Sequence, residues 1–564
     1  MPVITKRWEV ASPIPSEAIA ELSGYPQILR QILYNRGYQT HEQARAFLEA
    51  QPPSGTDATN LFDMQKAVDR IKFAIQHREK IVVYGDYDAD GVTATALLGM
   101  ALKTLGAEVI EYIPNRFDEG YGLNLEAIHT LYEQGVNLII TVDCGIRSWE
   151  EADYSQSVGM DLIITDHHYP LDILPPAFAI INPKQLNDKY PEKNLAGVGL
   201  AYKITEFLFQ SQQSPLDTRE YLDLVAIGTV ADLVPLTGEN RSLVRAGIEY
   251  IRQPRRQGIM ALIGVSGLVS TRITTTDISF ALAPRLNASG RLESALASLK
   301  LLTSDDIREA GQLAQWLEIQ NRDRQKIMRD IQAKAESKII IDDQVPFLLF
   351  AADPEYNAGV VGLAASRLTE QYYRPSIIAS IGEKFTRGSC RSIPEFHITY
   401  ALDQCSDLLE HHGGHAAAAG FTIRNELLPV LIEKMNEIAN KSLEDKDLRP
   451  KIFADVEIPL SELKPDLLKY LEWLQPTGMG NPAPIFMSGG LKVSRQKAIG
   501  NDGSHLKLAV TDGKITYDAI AFRQGHWIAH LPPEIDLMYT FELNEFNGQL
   551  SLQLNVKDIR PTNQ

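Results

Sequence analysis

The chain has 564 residues with 55 basic and 72 acidic side chains, a net charge of −17. That length suits roughly three to five domains of about 100 to 200 residues each, and the acidic balance disfavours a general polyanion binder, so any nucleic-acid path must be locally basic. Apolar residues at 44% and charged residues at 23% are ordinary for a globular protein, and no apolar run approaches the ~18 residues of a membrane span. The N-terminus has charge without an apolar stretch after it, and three cysteines (Cys144, Cys390, Cys405) are too few for a disulfide framework or a structural zinc cluster. A cytoplasmic location without membrane contact is the expectation.

Residues 1–55 mix short helical patterns with loop signals and end at Gln51-Pro52-Pro53-Ser54-Gly55. From about 60 to 235 strands and helices alternate, which predicts an α/β unit around a largely parallel sheet. Four acidic segments follow or lie within apolar, β-branched runs: Asp86 to Asp90 after Ile81-Val82-Val83-Tyr84, Asp143 after Leu138-Ile139-Ile140-Thr141, Asp166-His167-His168 after Leu162-Ile163-Ile164-Thr165, and Asp232 after Val225-Ala226-Ile227. All four runs read as buried parallel strands. Beyond Thr303 the spacing of Leu313, Trp316, Leu317, Ile327 and Ile331 predicts a long connecting helix with a mixed-charge outer face. A second α/β unit spans about 345–440, and after 450 alternating strands with hairpin turns at Asp512-Gly513 and Asn547-Gly548 predict a small β-barrel. The expected boundaries are 1–55, 56–300, 301–340, 341–445 and 446–564.

Carboxylates gathered at the carboxyl ends of parallel strands share one crevice, where their repulsion calls for a cation. Asp88 or Asp90 can be read as a helix cap, but capping accounts for one aspartate of Asp86, Asp88 and Asp90, not three. Asp143 alone reads as a cap, and His167-His168 alone as a core pair. Taken together they form an oxygen and imidazole ligand set suited to Mn²⁺ or Mg²⁺. Two ions fit better than one, because Asp143 can bridge ions separated by ~3.5 to 4 Å, as in phosphoester hydrolases. Gly413-Gly414-His415 before Ala416-Ala417-Ala418-Ala419 reads either as a phosphate-binding glycine loop opening a packed helix or as a plain turn. Of the barrel aromatics Phe486, Tyr517, Phe522, Trp527 and Phe546, most are expected in the core and Phe546 exposed.

Gly85-Asp86-Tyr87-Asp88-Ala89-Asp90-Gly91, Val142-Asp143-Cys144-Gly145, Asp166-His167-His168 and Ala231-Asp232-Leu233-Val234-Pro235-Leu236 resemble, in order and spacing, the successive motifs of the DHH phosphoesterase superfamily. Ala283-Pro284-Arg285-Leu286-Asn287-Ala288-Ser289-Gly290-Arg291-Leu292, Gly413-Gly414-His415 and Thr477-Gly478-Met479-Gly480-Asn481-Pro482 are similar to segments of its RecJ branch. The resemblance implies a DHH domain joined by a long helix to a DHH-associated domain and an OB-fold. It also implies an exonuclease with two Mn²⁺ or Mg²⁺ ions that degrades single-stranded DNA from 5′ to 3′ in repair and recombination.

By motif position, Asp88 and Asp143 would hold one ion with Asp86 completing its shell, and Asp90, Asp143, His167 and Asp232 the other. His168 would face the phosphate, with Asp166 behind it. Arg291, Ser389, Arg391, Gly413, Gly414 and His415 would bind the DNA backbone and its 5′ end, as arginine's planar fork suits phosphate. Residues 1–55 would meet a helicase or single-strand-binding protein, or brace the first domain. Two alternatives stand beside this reading. One is a DHH phosphodiesterase of short oligonucleotides or cyclic dinucleotides, which usually lacks the OB-fold. The other is a non-catalytic replication scaffold, against which the complete ligand set argues.

Overall fold

The computed structural model describes residues 5–116, 118–120, 122–342, 344–500, 502–546 and 548–562. The chain divides into two compact units, residues 1–8 with 319–452, and residues 9–318 with 453–564.

In the larger unit, two N-terminal helices, α1 (Gln27–Asn35) and α2 (His41–Leu48), present an apolar face of Leu29, Ile32, Leu33 and Phe47. These residues share one buried core with Phe486, Tyr539 and Leu554 of the C-terminal barrel. The N-terminal segment therefore braces the barrel, and its own apolar stripe is covered.

Five parallel strands follow: β1 (Lys80–Tyr84), β2 (Glu108–Tyr112), β3 (Leu138–Thr141), β4 (Asp161–Thr165) and β5 (Ala179–Ile181), in spatial order β2-β1-β3-β4-β5. Runs such as Ile81-Val82-Val83-Tyr84 are fully buried because helices cover both faces of the sheet. The chain leaves β1 toward β2 on one side and returns to β3 on the other, which opens a crevice at the carboxyl ends of β1 and β3. Three helices close over it: α3 (Ala89–Thr104), α4 (Gly197–Ser211) and α5 (Leu222–Ala231).

Helix α5 corrects one expectation. Val225-Ala226-Ile227 is helical, and Asp232 caps the carboxyl end of a helix. A helix buried on all sides is apolar all round, and over three residues its sequence cannot be told from a buried strand. Beyond it lie α6 (Gly238–Arg252) and α7 (Ala283–Leu292), and then α8 (Ile307–Ile339), the long helix expected from sequence, which begins where Asp306 accepts the Glu309 amide at 2.8 Å.

The smaller unit carries β6 (Leu349–Asp353), α9 (Val361–Tyr372), β7 (Ser376–Ile381), β8 (Phe385–Arg391), β9 (Leu409–Gly414) and β10 (Ala418–Arg424). Its sheet runs β9-β10-β8-β7-β6, with only β6 and β7 parallel.

The C-terminal barrel is built from β11 (Phe486–Ile499), β12 (His505–Thr511), β13 (Thr516–Ala521), β14 (Glu534–Phe546) and β15 (Gln549–Pro561). Pairing of β11 with both β12 and β14 closes it. Gly513, at φ +86°, turns the β12–β13 hairpin. Phe486 and Tyr517 are core, whereas Phe522 is half exposed, because β13 ends at Ala521 and the inward alternation stops there. The Phe546 side chain and Asn547 lie outside the described residues.

Candidate metal centre

Loops after β1, β3 and β4 and the end of α5 bring Asp86, Asp88, Asp90, Asp143, His167, His168 and Asp232 together. Ligand atoms of three sets each lie within 4.8 Å of one another: Asp86, Asp88 and Asp143; Asp90, His167 and Asp232; Asp143, His167 and His168. Asp143 belongs to two sets, as a bridging carboxylate must. His167 Nε2 stands 3.1 Å from Asp143 Oδ1, 3.5 Å from Asp232 Oδ2 and 3.9 Å from Asp90 Oδ2.

Backbone donors fix these side chains. Asp88 Oδ1 caps α3, accepting the Asp90 and Gly91 amides at 2.9 and 3.1 Å, so the capping role and membership of the acidic cluster coexist. Asp90 Oδ2 and Oδ1 accept the Gly197 and Val198 amides at 2.6 and 2.8 Å, donors that the first turn of α4 leaves unpaired. Asp143 is held at φ +64°, a left-handed conformation that aspartate tolerates better than most residues, with its amide bonded to Thr165 O at 3.0 Å. Asp166 Oδ2 accepts the Ile146 amide at 2.9 Å, while its Oδ1 accepts the His168 amide at 3.0 Å and faces His168 Nδ1 at 2.7 Å. Asp166 thus ties the Asp143 loop to the His168 ring and sits behind the centre.

The electrostatics are those of a site built for a cation. Burial, and then the charge of Asp88, pushes the Asp90 carboxyl up to about 7. Burial, then Asp90 and Asp88, pushes Asp232 up to about 9. Burial followed by neighbouring carboxylates likewise raises Asp86 and Asp143 well above the usual range. Burial, reinforced by His168, holds His167 down at about 3, neutral as a metal ligand must be. For His168 burial acts downward, but the Asp166 hydrogen bond and charge outweigh it and raise the imidazole.

The donor set fits divalent metal. Asp86 Oδ1 and both ring nitrogens of His167 are buried without a hydrogen-bond partner among the described residues, an arrangement that is costly unless an ion completes it. Oxygen with one or two imidazoles, and no thiolate, suits Mn²⁺ or Mg²⁺.

Three segments match family models: the DHH family N-terminal domain at residues 80–229, the DHHA1 domain at 344–441 and the RecJ OB domain at 454–558. The single-stranded-DNA-specific exonuclease RecJ of Bacillus subtilis is 38% identical over 98% of this chain and 70% of its own length. The chain belongs to the RecJ family. Solved structures agree: RecJ of Thermus thermophilus in complex with Mn²⁺ matches at a TM-score of 0.86 and 30% identity, over 99% of this chain and 80% of that one. Its Mg²⁺ complex matches at 0.80 and 29%, over 99% and 79%.

Within this RecJ-family fold, Arg291 ends α7 beside the acidic loop, where it acts electrostatically on Tyr87. A Cβ on the preceding Gly290 would stand 2.7 Å from Tyr87 O. The other predicted substrate residues lie in the smaller unit. Ser389 and Arg391 share a face of β8, and a Cβ on Gly362 in the first turn of α9 would stand 3.3 Å from Ser389 Oγ and 3.2 Å from Arg391 Nη2. Gly413 pairs with Gly420, which pairs with Ser389, so these residues form one row across the sheet.

The anticipated helix after Gly413-Gly414-His415 is absent. Gly414 ends β9, His415 donates its amide to Ala418 O at 2.7 Å, and Ala418 and Ala419 begin β10. Sheet pairing overrides the helical propensity of the alanine run, as its alternation with buried Phe421 and Ile423 requires. Gly413, Gly414 and His415 are exposed at the hairpin.

Several contributors were not anticipated. The Gly197 and Val198 amides leave a sequence trace only in Gly197-Val198-Gly199. Asn287 Oδ1 accepts the Ala89 amide at 2.7 Å and anchors the acidic loop to α7. Lys184 Nζ reaches His167 O at 2.5 Å, and the Arg116 guanidinium lies 4.7 Å from the Tyr87 ring. Neither basic residue carries a local motif.

Proposed function

We propose that this chain is a metal-dependent exonuclease that hydrolyses phosphodiester bonds of single-stranded DNA from the 5′ end, in repair and recombination. The observation that carries this reading is the crevice at the ends of β1 and β3, where five aspartates and His167 converge and where Asp86 Oδ1 and the His167 ring nitrogens are buried without a hydrogen-bond partner among the described residues. Relatives named single-stranded-DNA-specific exonucleases over nearly the whole chain support the choice of substrate.

Asp88 and Asp143, with Asp86, would hold one ion, and Asp90, Asp143, His167 and Asp232 the second. Metal held there would supply charge stabilisation at the phosphate oxygens and lower the pKa of a bound water, so that hydroxide is available as the nucleophile. His168, oriented through Nδ1 by Asp166 and raised in basicity, presents its other edge to a phosphate oxygen as a hydrogen-bond donor. Asp90, clamped by two amides, keeps its place as the substrate turns over.

Arg291, Ser389, Arg391, Gly413, Gly414 and His415 would hold the DNA backbone and 5′ terminus. The arginines would do so through paired hydrogen bonds, and the exposed hairpin glycines by letting the backbone approach closely. The apolar face of residues 27–48 is buried against the barrel, so a helicase or single-strand-binding protein would be met by other surfaces. Three reduced, buried cysteines are consistent with work in the cytoplasm.

The deciding assay offers 5′- and 3′-labelled single-stranded DNA and RNA, duplex DNA and a cyclic dinucleotide with Mn²⁺. Mononucleotide release from the 5′ end of single-stranded DNA, abolished by chelator, is expected. Exclusive turnover of the cyclic dinucleotide would sink the exonuclease reading, and no turnover of anything would favour a scaffold.

A further inference from the structure

Arg241, in the first turn of α6, is 1% exposed and uses all five of its N–H groups on backbone carbonyls. Its Nε donates to Phe47 O at 2.8 Å, Nη1 to Leu474 O and Pro476 O at 3.0 Å each, and Nη2 to Trp473 O at 3.1 Å and Gln475 O at 2.7 Å. The guanidinium also covers the Phe47 ring at 4.0 Å. Asn481, equally buried, donates to Leu474 O and Pro476 O at 2.9 and 2.7 Å and accepts from Arg36. Between these anchors the chain makes a tight turn, with Gly478 and Asn481 exchanging backbone hydrogen bonds.

That turn bears on the metal centre. Met479 O accepts the Leu236 amide at 2.8 Å. A Cβ on Gly478 would stand 2.7 Å from Leu236 Cδ1, and one on Gly480, at φ +70°, 3.0 Å from Pro235 Cβ. Pro235 and Leu236 close the short loop that follows Asp232, and within it Leu233 is forced to φ +62°. A β-unbranched leucine gains nothing from that conformation, so neighbouring contacts must impose it. Asn240 adds one, donating to Pro235 O at 3.2 Å.

We propose that Arg241 is a positioning residue for Asp232: it clamps residues 473–476 so that the turn at 478–481 holds the strained 233–236 loop and, through it, the Asp232 carboxylate. The proposal rests on the reading of Asp232 as a metal ligand. It gives the Thr477 to Pro482 segment a task, coupling the barrel side of the larger unit to one of the two ions.

The test is Mn²⁺ binding to the full chain, measured by electron paramagnetic resonance and calorimetry, for Arg241→Lys, Gly480→Ala, Asp232→Asn and the remote core variant Leu262→Ala. Arg241→Lys and Gly480→Ala are expected to keep one Mn²⁺ at parental affinity and to weaken the other by about tenfold or more, the range typical of groups that orient ligands. Their KM for single-stranded DNA should stay at the parental value while kcat falls and is partly restored by added Mn²⁺. Leu262→Ala should lose thermal stability without losing Mn²⁺ affinity, separating positioning from general destabilisation. Gly480→Ala decides the matter if Arg241→Lys fails to fold. Parental Mn²⁺ binding by the folded clamp variants beside a weakened Asp232→Asn overturns the clamp alone. Parental binding by Asp232→Asn overturns the ligand reading and the clamp with it.

Discussion

The acidic crevice and the glycine hairpin, each proposed to meet phosphate, are built in opposite ways. In the crevice Asp86, Asp90, Asp143 and His167 are buried and closely packed, with Asp88 and Asp232 half-buried beside them. Asp90 has an amide on each oxygen, and a Cβ on Gly197 would stand 2.6 Å from that of Asp143, one on Gly91 2.5 Å from Asp86 O. At the hairpin Gly413 has nothing within 4 Å of its Cβ position and lies in solvent. Bond-breaking needs groups placed to within a fraction of an ångström, whereas gripping a flexible polymer needs donors that can be reached. Substitutions in the crevice should therefore act on turnover, and substitutions in the hairpin row on substrate affinity.

The largest effect should come from Asp143→Asn, which tolerates the left-handed backbone where alanine would add strain. We predict a fall in kcat of about a thousandfold or more, as for groups that act as a unit, with circular dichroism unchanged. Substantial Mn²⁺-dependent activity in the folded variant would break the account. Gly197→Ala comes next: its methyl displaces Asp143, and a loss of about 10- to 100-fold in kcat is expected from ligand misplacement alone. Unaltered kinetics would mean that the crevice is less tightly built than its contacts imply.

On the other side of the comparison, Arg391→Lys removes the planar fork and should raise KM for single-stranded DNA about tenfold with kcat nearly constant. A fall confined to kcat would move Arg391 out of the binding group. Gly413→Ala, which meets no atom, should leave stability within about 0.5 kcal/mol and raise KM a few-fold. No change in KM would remove the hairpin from DNA binding. Smallest of all, Phe522→Ala, at a half-exposed ring, should lower binding of long oligonucleotides by no more than about twofold, well below the ~1 to 3 kcal/mol of a full base stack, leaving dinucleotide turnover untouched.

The same contrast explains what could be read from sequence. Asp86, Asp88, Asp90, Asp143 and His167 were legible because buried parallel strands announce themselves as apolar runs and their carboxyl ends are where crevices form. Asp232 was legible as a residue but not as part of a helix, since Val225-Ala226-Ile227 carries no periodicity long enough to separate the two. The alanines after His415 were misread for the reverse reason: local propensity favours a helix, and the decision was made by pairing with β8 and β9. The amides on Asp90 come from residues more than a hundred positions away, and four of the five carbonyls around Arg241 from more than two hundred, beyond any local pattern.

The most direct test of the central claim is a crystal of the chain grown with Mn²⁺ and measured at the manganese absorption edge. Two anomalous peaks are predicted, one contacted by Asp86, Asp88 and Asp143, the other by Asp90, Asp143, His167 and Asp232, with His168 bound to neither. A single peak, or manganese held by His168 in place of Asp232, would contradict the account.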